Sequence, residues 1–457
     1  MNVQLPPAIP KDSDSVLASG FLSAGFLSGS AAASVDSSRW WNGPLNVEAL
    51  ATGSVGLVAR SLEHWAPNSG IQAAGANQVA AAFDSLKRLH IDGRAASTFA
   101  PLSGFFQTRD GWLRTHANYL HHQRALLHAL KISDPKQLTQ ALRELDAVVA
   151  QELIAASGGV AAAVNAREHW TSSDPAAHNR AKHWAEFTMH ELDRVIRSPQ
   201  KLESTAPLGG IRVVDLTRVI AGPVAVRILA LLGAMVLRVD PPATPELLDQ
   251  HLDTGFGKYS AQLDFGAREA LAALHGLLEQ ADVLIMGYRP GALARFGLEL
   301  DQLRERYPQL VVAALSAWGT AGPWAQRRGF DSIVQAASGI AQDYRSPDGT
   351  PGALPVQALD HATGYGMAAA VISLLHARRH LGLGGSVEFS LARTAKALYD
   401  FGAPTAPVHE LREPSMGSCL SAHGRLEYVL PPFERNGHVM DYRFAPREYA
   451  KDAPAWP

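Results

Sequence analysis

Between residues 211 and 315, short apolar runs rich in β-branched side chains alternate with helical stretches, and this alternation constrains the fold more than any other feature. Ile211-Arg-Val-Val-Asp-Leu216 reads as a strand, and Gly222-Pro223 opens a helical run that Gly233 closes. Met235-Val-Leu-Arg-Val239, Asp282-Val-Leu-Ile-Met286 and Leu310-Val-Val-Ala-Ala-Leu315 read as the second, third and fourth strands, with a helix over 268–280 between two of them. Strands that return in parallel need crossover helices, so this rhythm predicts βαβ units and a doubly wound, Rossmann-like parallel α/β sheet. Ligands of such sheets bind beyond the C-terminal ends of the strands. That places candidate binding loops at 217–223, 240–242 and 287–291.

A second landmark is Pro355-Val-Gln-Ala-Leu-Asp360-His-Ala-Thr-Gly364, followed by an Ala-, Leu- and Met-rich stretch from Tyr365 to Arg379 that predicts a buried helix. Basic residues followed by Gly382, Gly384 and Gly385 give its stop signal. Val387-Glu-Phe-Ser-Leu391 alternates as a strand does. Earlier in the chain, Gly104-Phe-Phe-Gln-Thr-Arg-Asp-Gly-Trp-Leu113 reads as a hairpin, and helices are expected over 121–130, 138–156 and 176–196. A shift of 311 residues lays Pro44 on Pro355, Thr52 on Thr363 and Gly53 on Gly364, with Ala49 falling on Asp360. A boundary is expected over 198–207, where a charged stretch gives way to Pro-Leu-Gly-Gly.

Composition removes several function classes. With 41 Lys+Arg against 43 Asp+Glu, the net charge of -2 gives no basic excess of the kind nucleic-acid binders carry, so no nucleic-acid partner is expected. The N-terminus lacks a basic leader, and residues 16–35 are too rich in Gly and Ser for a membrane span. The single Cys419 excludes an intrachain disulfide and fits a reducing compartment. The expectation is a cytoplasmic protein without membrane association.

Asp360 is the leading candidate for chemistry. Placed just before a long helix, its carboxylate would feel the helix dipole and free N–H groups, and an ionised carboxylate there can attack a thioester. The plainer reading is a helix-terminal acid that stabilises by about 0.5–2 kcal/mol. The loop Thr217-Arg-Val-Ile-Ala-Gly-Pro223 lies where a nucleotide would sit, yet it lacks the G-x-G-x-x-G pattern of nicotinamide and flavin sites. Asp240 is either a ribose-binding acid or a turn residue. Tyr288-Arg-Pro-Gly291 with Arg295 would hold a base and phosphates, or form a Pro-Gly turn with solvated arginines. His116, His121 and His122 match no metal-ligand spacing and read as structural, so no metal is expected.

Taken together, residues 208–395 resemble the family III CoA-transferases, the CaiB/BaiF group. The resemblance rests on Val-Val-Asp-Leu-Thr-Arg-Val-Ile-Ala-Gly-Pro, Leu-Gly-Ala-Met-Val-Leu-Arg-Val-Asp-Pro-Pro and Ala-Asp-Val-Leu-Ile-Met-Gly-Tyr-Arg-Pro-Gly. It continues through Gly-Phe-Asp-Ser-Ile-Val-Gln-Ala and Asp-His-Ala-Thr-Gly, in that order. It implies that Asp360 is the catalytic nucleophile and that CoA moves from a donor acyl-CoA to an acceptor carboxylic acid through aspartyl anhydride and thioester intermediates. It further implies CoA contacts at Val219, Ile220, Ala221, Tyr288 and Arg295, coenzyme A as substrate with no permanently bound cofactor, and a homodimer. Gly287 replaces a common asparagine, Phe265-Gly266 stand where a basic residue often follows, and the 242–258 segment is short for the family.

Phe105-Phe-Gln-Thr-Arg-Asp-Gly-Trp112 and Ala155-Ala-Ser-Gly-Gly-Val160 resemble a later part of the family's chain, and Leu430-Pro-Pro-Phe433 resembles a C-terminal strand region. The expected organisation is therefore a degenerate transferase-like segment with a small α+β domain (1–200), a CoA-binding and catalytic domain (208–400) and a C-terminal extension packing back on it (401–457). The alternatives are a 2-methylacyl-CoA racemase and a non-catalytic CoA-binding partner subunit. The racemase needs a second acid/base, a histidine where Phe330 stands; His361 is the candidate substitute.

Overall fold

The computed structural model describes residues 13–27, 39–193 and 206–457. Most of the boundary expected over 198–207 lies outside the described residues, as do residues 1–12 and 28–38 of the N-terminal reading. Among the described residues, no helix is long and apolar enough to cross a membrane.

Helix α1 (Val47–Trp65) precedes a set of short elements, and strand β1 (Glu186–Glu191) closes the N-terminal segment. The sheet then develops as β2 (Arg212–Leu216), α2 (Ala221–Leu231), β3 (Met235–Asp240), β4 (Lys258–Gln262), α3 (Arg268–Glu279), β5 (Val283–Met286) and β6 (Val311–Ser316). Helices α4 (Asp331–Ser338) and α5 (Ala358–His380) lead into β7 (Leu383–Ser390). The seven strands are ordered β4-β3-β2-β5-β6-β7-β1, all parallel except the antiparallel edge strand β1. The expected doubly wound α/β sheet is present. Chain order reverses between β2 and β5, so the loops after these two neighbours diverge and leave a crevice at their C-terminal ends.

Helices cover both faces of this sheet, which explains the continuous apolar runs. Val213, Val236, Val283 and Ile285 pack with α2 and α5, while Val214, Leu237, Leu284 and Met286 pack with α3. Small residues let α5 come close to α2. A Cβ at Gly364 would stand 2.5 Å from the Ala221 carbonyl oxygen and 2.9 Å from the Val224 side chain.

Several expectations need correction. Strand β4 was not anticipated because Lys-Tyr-Ser-Ala-Gln lacks an apolar run; Lys258 is nevertheless buried, 3.5 Å from Asp215 at the end of β2. The strand at 283–286 is thus the fourth along the core sheet rather than the third. The helix expected over 176–196 is a short helix (Asp174–Arg180) followed by β1, whose identity is settled by pairing with β7. The 138–156 helix breaks into Leu138–Arg143 and Ala147–Ala156. Gly384 and Gly385, read as a helix stop, lie in β7, where a Cβ at Gly384 would stand 2.5 Å from the Pro308 carbonyl oxygen. Helix α5 starts at Ala358 rather than Tyr365 and takes in Asp360.

The expected hairpin forms, pairing Phe105–Gln107 with Trp112–Thr115. Helix α1 packs alongside α5, and the 311-residue shift lays the α1 cap Asn46 on the α5 cap Gln357. C-terminal strands pair with the N-terminal segment: Gly424–Val429 with His90–Ile91, and Phe433–Arg435 with Ile71–Ala73.

Candidate active site

Asp360 is the third residue of α5, where backbone N–H groups have no partner inside the helix. These groups turn to a different carboxylate. Asp331, first residue of α4, accepts the Asp360 N–H at 3.0 Å and is also bonded by the Gln335 amide and the Leu359 N–H. The anion sited by the α5 dipole is therefore Asp331. The sequence reading, which gave that stabilisation to Asp360, is corrected.

Asp360 is 5% exposed. Burial first, and the charge of Asp331 second, push its pKa well above the ordinary range. Burial also raises Asp331, to about 6, against the pull of its hydrogen bonds and of Arg114. Two carboxyls this close resist double ionisation, which favours the protonated form of Asp360.

Two chambers meet at Asp360. The first, about 210 Å³, lies in the crevice between the β2 and β5 loops, and Val219, Ala221 and Tyr288 line it. Four arginines, Arg218, Arg289, Arg327 and Arg328, also line it. Arg327 is paired with Glu152 at 2.7 Å. Arg328 has no carboxylate within ion-pair distance among the described residues, and burial and Arg289 lower its pKa. A cationic crevice at a switch point suits a polyanion. Arg295 is exposed on a short turn over the Phe296 ring and lines neither chamber. The sequence reading missed Arg327 and Arg328, which stand immediately before the quoted Gly-Phe-Asp motif.

The second chamber, about 250 Å³, shares Asp360, Val219, Tyr119 and Phe330 with the first. Ile220 lines it, and much of its wall comes from the N-terminal segment, including Phe83, Phe99 and His116. The three histidines read as structural lie at the site. His116 stacks on Phe330 with ring centroids 3.9 Å apart, and neither of its ring nitrogens has a hydrogen-bond partner among the described residues. Burial, with Arg114, lowers its pKa to about 3, and burial, with Arg227, lowers that of His361 to about 3. His121 and His122 line the first chamber, where burial above all brings His122 down to about 2. Among the described residues, no group of three or more His, Cys, Asp or Glu is arranged to hold a metal. Cys419 lies outside both chambers, its thiol raised by burial.

The loop that divides the chambers is strained. Val219 has φ +68°, a left-handed conformation that a β-branched residue disfavours. Its N–H donates at 3.0 Å to Glu246, whose carboxylate also accepts Tyr119 Oη at 2.5 Å and Arg238 Nη2 at 3.0 Å. Arg238 in turn holds Asp240 at 2.6 Å, so Asp240 is a buried ion-pair partner and not a free ribose acid. One buried network thus ties the N-terminal segment, through Tyr119, to the backbone of the β2 loop. Sequence patterns carry no sign of it, because Tyr119, Val219 and Glu246 are far apart along the chain.

A doubly wound sheet with a cationic switch-point crevice ending at a buried carboxyl is an arrangement of the Rossmann-like class. Residues 208–426 match the model of CoA-transferase family III. The chain is 34% identical over 205 residues to the probable fatty acyl-CoA transferase Rv3272 of Mycobacterium tuberculosis, covering 42% of this chain and 52% of that protein. The succinate–glutarate CoA-transferase of Agrobacterium fabrum is 33% identical, with 42% and 52% covered; the acetyl-CoA:oxalate CoA-transferase of Acetobacter aceti is 34% identical, with 40% and 51% covered. A crystal structure of Rv3272 aligns with a TM-score of 0.40 at 35% identity, over 42% of this chain and 55% of that one. The chain spans about half the length of the curated relatives it matches.

Proposed function

We propose that the protein is an acyl-CoA:carboxylate CoA-transferase in which 208–400 form the CoA-binding and catalytic domain and Asp360 is the nucleophile. The supporting observation is the position of Asp360 at the junction of a cationic chamber and an aromatic one. CoA phosphates would meet Arg218, Arg289 and Arg328, with Val219, Ala221 and Tyr288 against the rest of the cofactor. The acyl group would then lie in the second chamber, with the thioester at Asp360.

In this reading Asp360 loses its proton, and a carboxylate oxygen bonds to the thioester carbon as the C–S bond breaks. The products are an aspartyl anhydride and CoA thiolate. The thiolate attacks the aspartyl carbonyl, releasing the donor acid and leaving an enzyme–CoA thioester. An acceptor carboxylate attacks that thioester to regenerate anhydride and thiolate, and thiolate attack on the acceptor carbonyl frees Asp360 and the new acyl-CoA. Covalent steps divide one difficult exchange, and an enclosed junction keeps water from the anhydride.

Incubation with an acyl-CoA, trapping with hydroxylamine or borohydride, and mass spectrometry should locate the modification at Asp360 and find none in Asp360→Ala. Labelling elsewhere, or equal labelling of the variant, refutes the assignment. One observation favours a second reading, 2-methylacyl-CoA racemisation: the His116 ring, without a hydrogen-bond partner among the described residues, lies against Phe330 in the chamber that Asp360 lines. Exchange of the α-proton in D2O without CoA movement between acids would establish that reading instead.

A further inference from the structure

We infer that the acid handled by the second chamber is a monocarboxylic acid with a compact apolar or aromatic body, bearing at most an uncharged polar substituent. Short diacids are excluded. The inference rests on the transferase reading of Asp360 and deepens it.

Size is the first argument. A cavity of about 150 Å³ accommodates a benzene ring, so about 250 Å³ takes a ring with a short chain between it and the reacting carboxyl.

The wall is the second. Phe83 stacks on His361 at 5.3 Å, His116 stacks on Phe330 at 3.9 Å, and all four rings line the chamber. Phe99 and Leu247, 40% and 36% exposed, line the same chamber and offer an apolar path to solvent.

Charge is the third. The cationic side chain lining this chamber is Lys87, which is exposed. The guanidinium of Arg114 is covered by the rings of Phe99 and Phe105, 5.1 and 4.8 Å from their centroids. Both lining histidines are neutral, because burial lowers them to about 3. A second carboxylate held away from the exposed Lys87 would therefore be buried without a cationic partner and would also face Asp84, which lines the wall.

The polar atoms left over are uncharged. Both nitrogens of His116, Nδ1 of His361 and Nε2 of Gln250 are buried without hydrogen-bond partners among the described residues, and all three residues line this chamber. A hydroxyl or carbonyl on the substrate can meet such groups, whereas an anion would need a cation.

The test uses the full chain with acetyl-CoA as donor and phenylacetate, 4-hydroxyphenylacetate, octanoate, succinate and oxalate as acceptors, while Asp360 labelling by the donor is followed in parallel. The expected result is kcat/KM at least about 100-fold higher for the best apolar monoacid than for either diacid, the scale set by burying an unpaired charge. Diacids turned over as well as the monoacids overturn the inference. Labelling of Asp360 with no transfer to any apolar acid also overturns it, leaving the transferase reading intact. Absence of labelling removes the transferase reading and this inference with it.

Discussion

Glu246 offers a perturbation whose size follows from the structure. Its carboxylate is fully enclosed and accepts from Tyr119, Leu247, Val219 and Arg238. Burial by itself would raise its pKa; Arg238 and Arg218, helped by hydrogen bonds, instead lower it from 4.5 to about 2. At ~1.4 kcal/mol per pH unit that difference corresponds to about 3 kcal/mol of stability. Because the folded value is the depressed one, the contribution is complete above pH 4.5 and is lost as the pH falls toward about 2. Glu246→Gln should therefore lower the urea-unfolding free energy at pH 7 by about 3 kcal/mol, with the deficit shrinking below pH 4.5. Glu246→Leu, which also strands buried donors, should cost ~3–5 kcal/mol. Release of Val219 from its left-handed conformation, strained by ~1–2 kcal/mol, should raise KM for acyl-CoA more than it lowers kcat. A Glu246→Gln protein within ~1 kcal/mol of wild type at pH 7, with an unchanged pH dependence, would refute the reasoning.

Three further outcomes follow from the same packing. Asp331→Asn removes the charge that helps raise Asp360, so the rate of Asp360 labelling should reach its plateau at lower pH than in wild type; an unmoved profile refutes the pairing. Above pH 3.8 an unfolded Asp360 is ionised, while burial and Asp331 raise the pKa of the folded group, so its burial reduces stability as pH rises until the folded group titrates. Asp360→Asn should accordingly be at least as stable as wild type at pH 7 in urea unfolding while losing transfer activity, and a clear loss of stability would contradict this. Gly364→Ala places a methyl 2.5 Å from the Ala221 carbonyl oxygen, and thermal melting should show a cost of ~1–3 kcal/mol from forcing α2 and α5 apart.

The chain's own pattern determined the sheet and its direction. Doubly buried strands must be apolar, so Val213, Val214, Leu284 and Ile285 announced themselves, and the alternation with helices left parallel pairing as the economical arrangement. Asp360 was legible for another reason: it stands in a motif that resembles a family's, although the sequence placed it before a helix that in fact contains it. Polar or irregular elements were not legible. Lys258 is accommodated in a buried strand beside Asp215, and residues 186–191 pair with the edge of β7. Those partners lie far away in the sequence, and local propensity cannot register them. The same holds for the site. Only the tertiary structure brings Asp331 to the start of α5, His116 onto Phe330 and Tyr119 to Glu246, because each contact joins segments whose approach is set by core packing rather than by anything in their own neighbourhood.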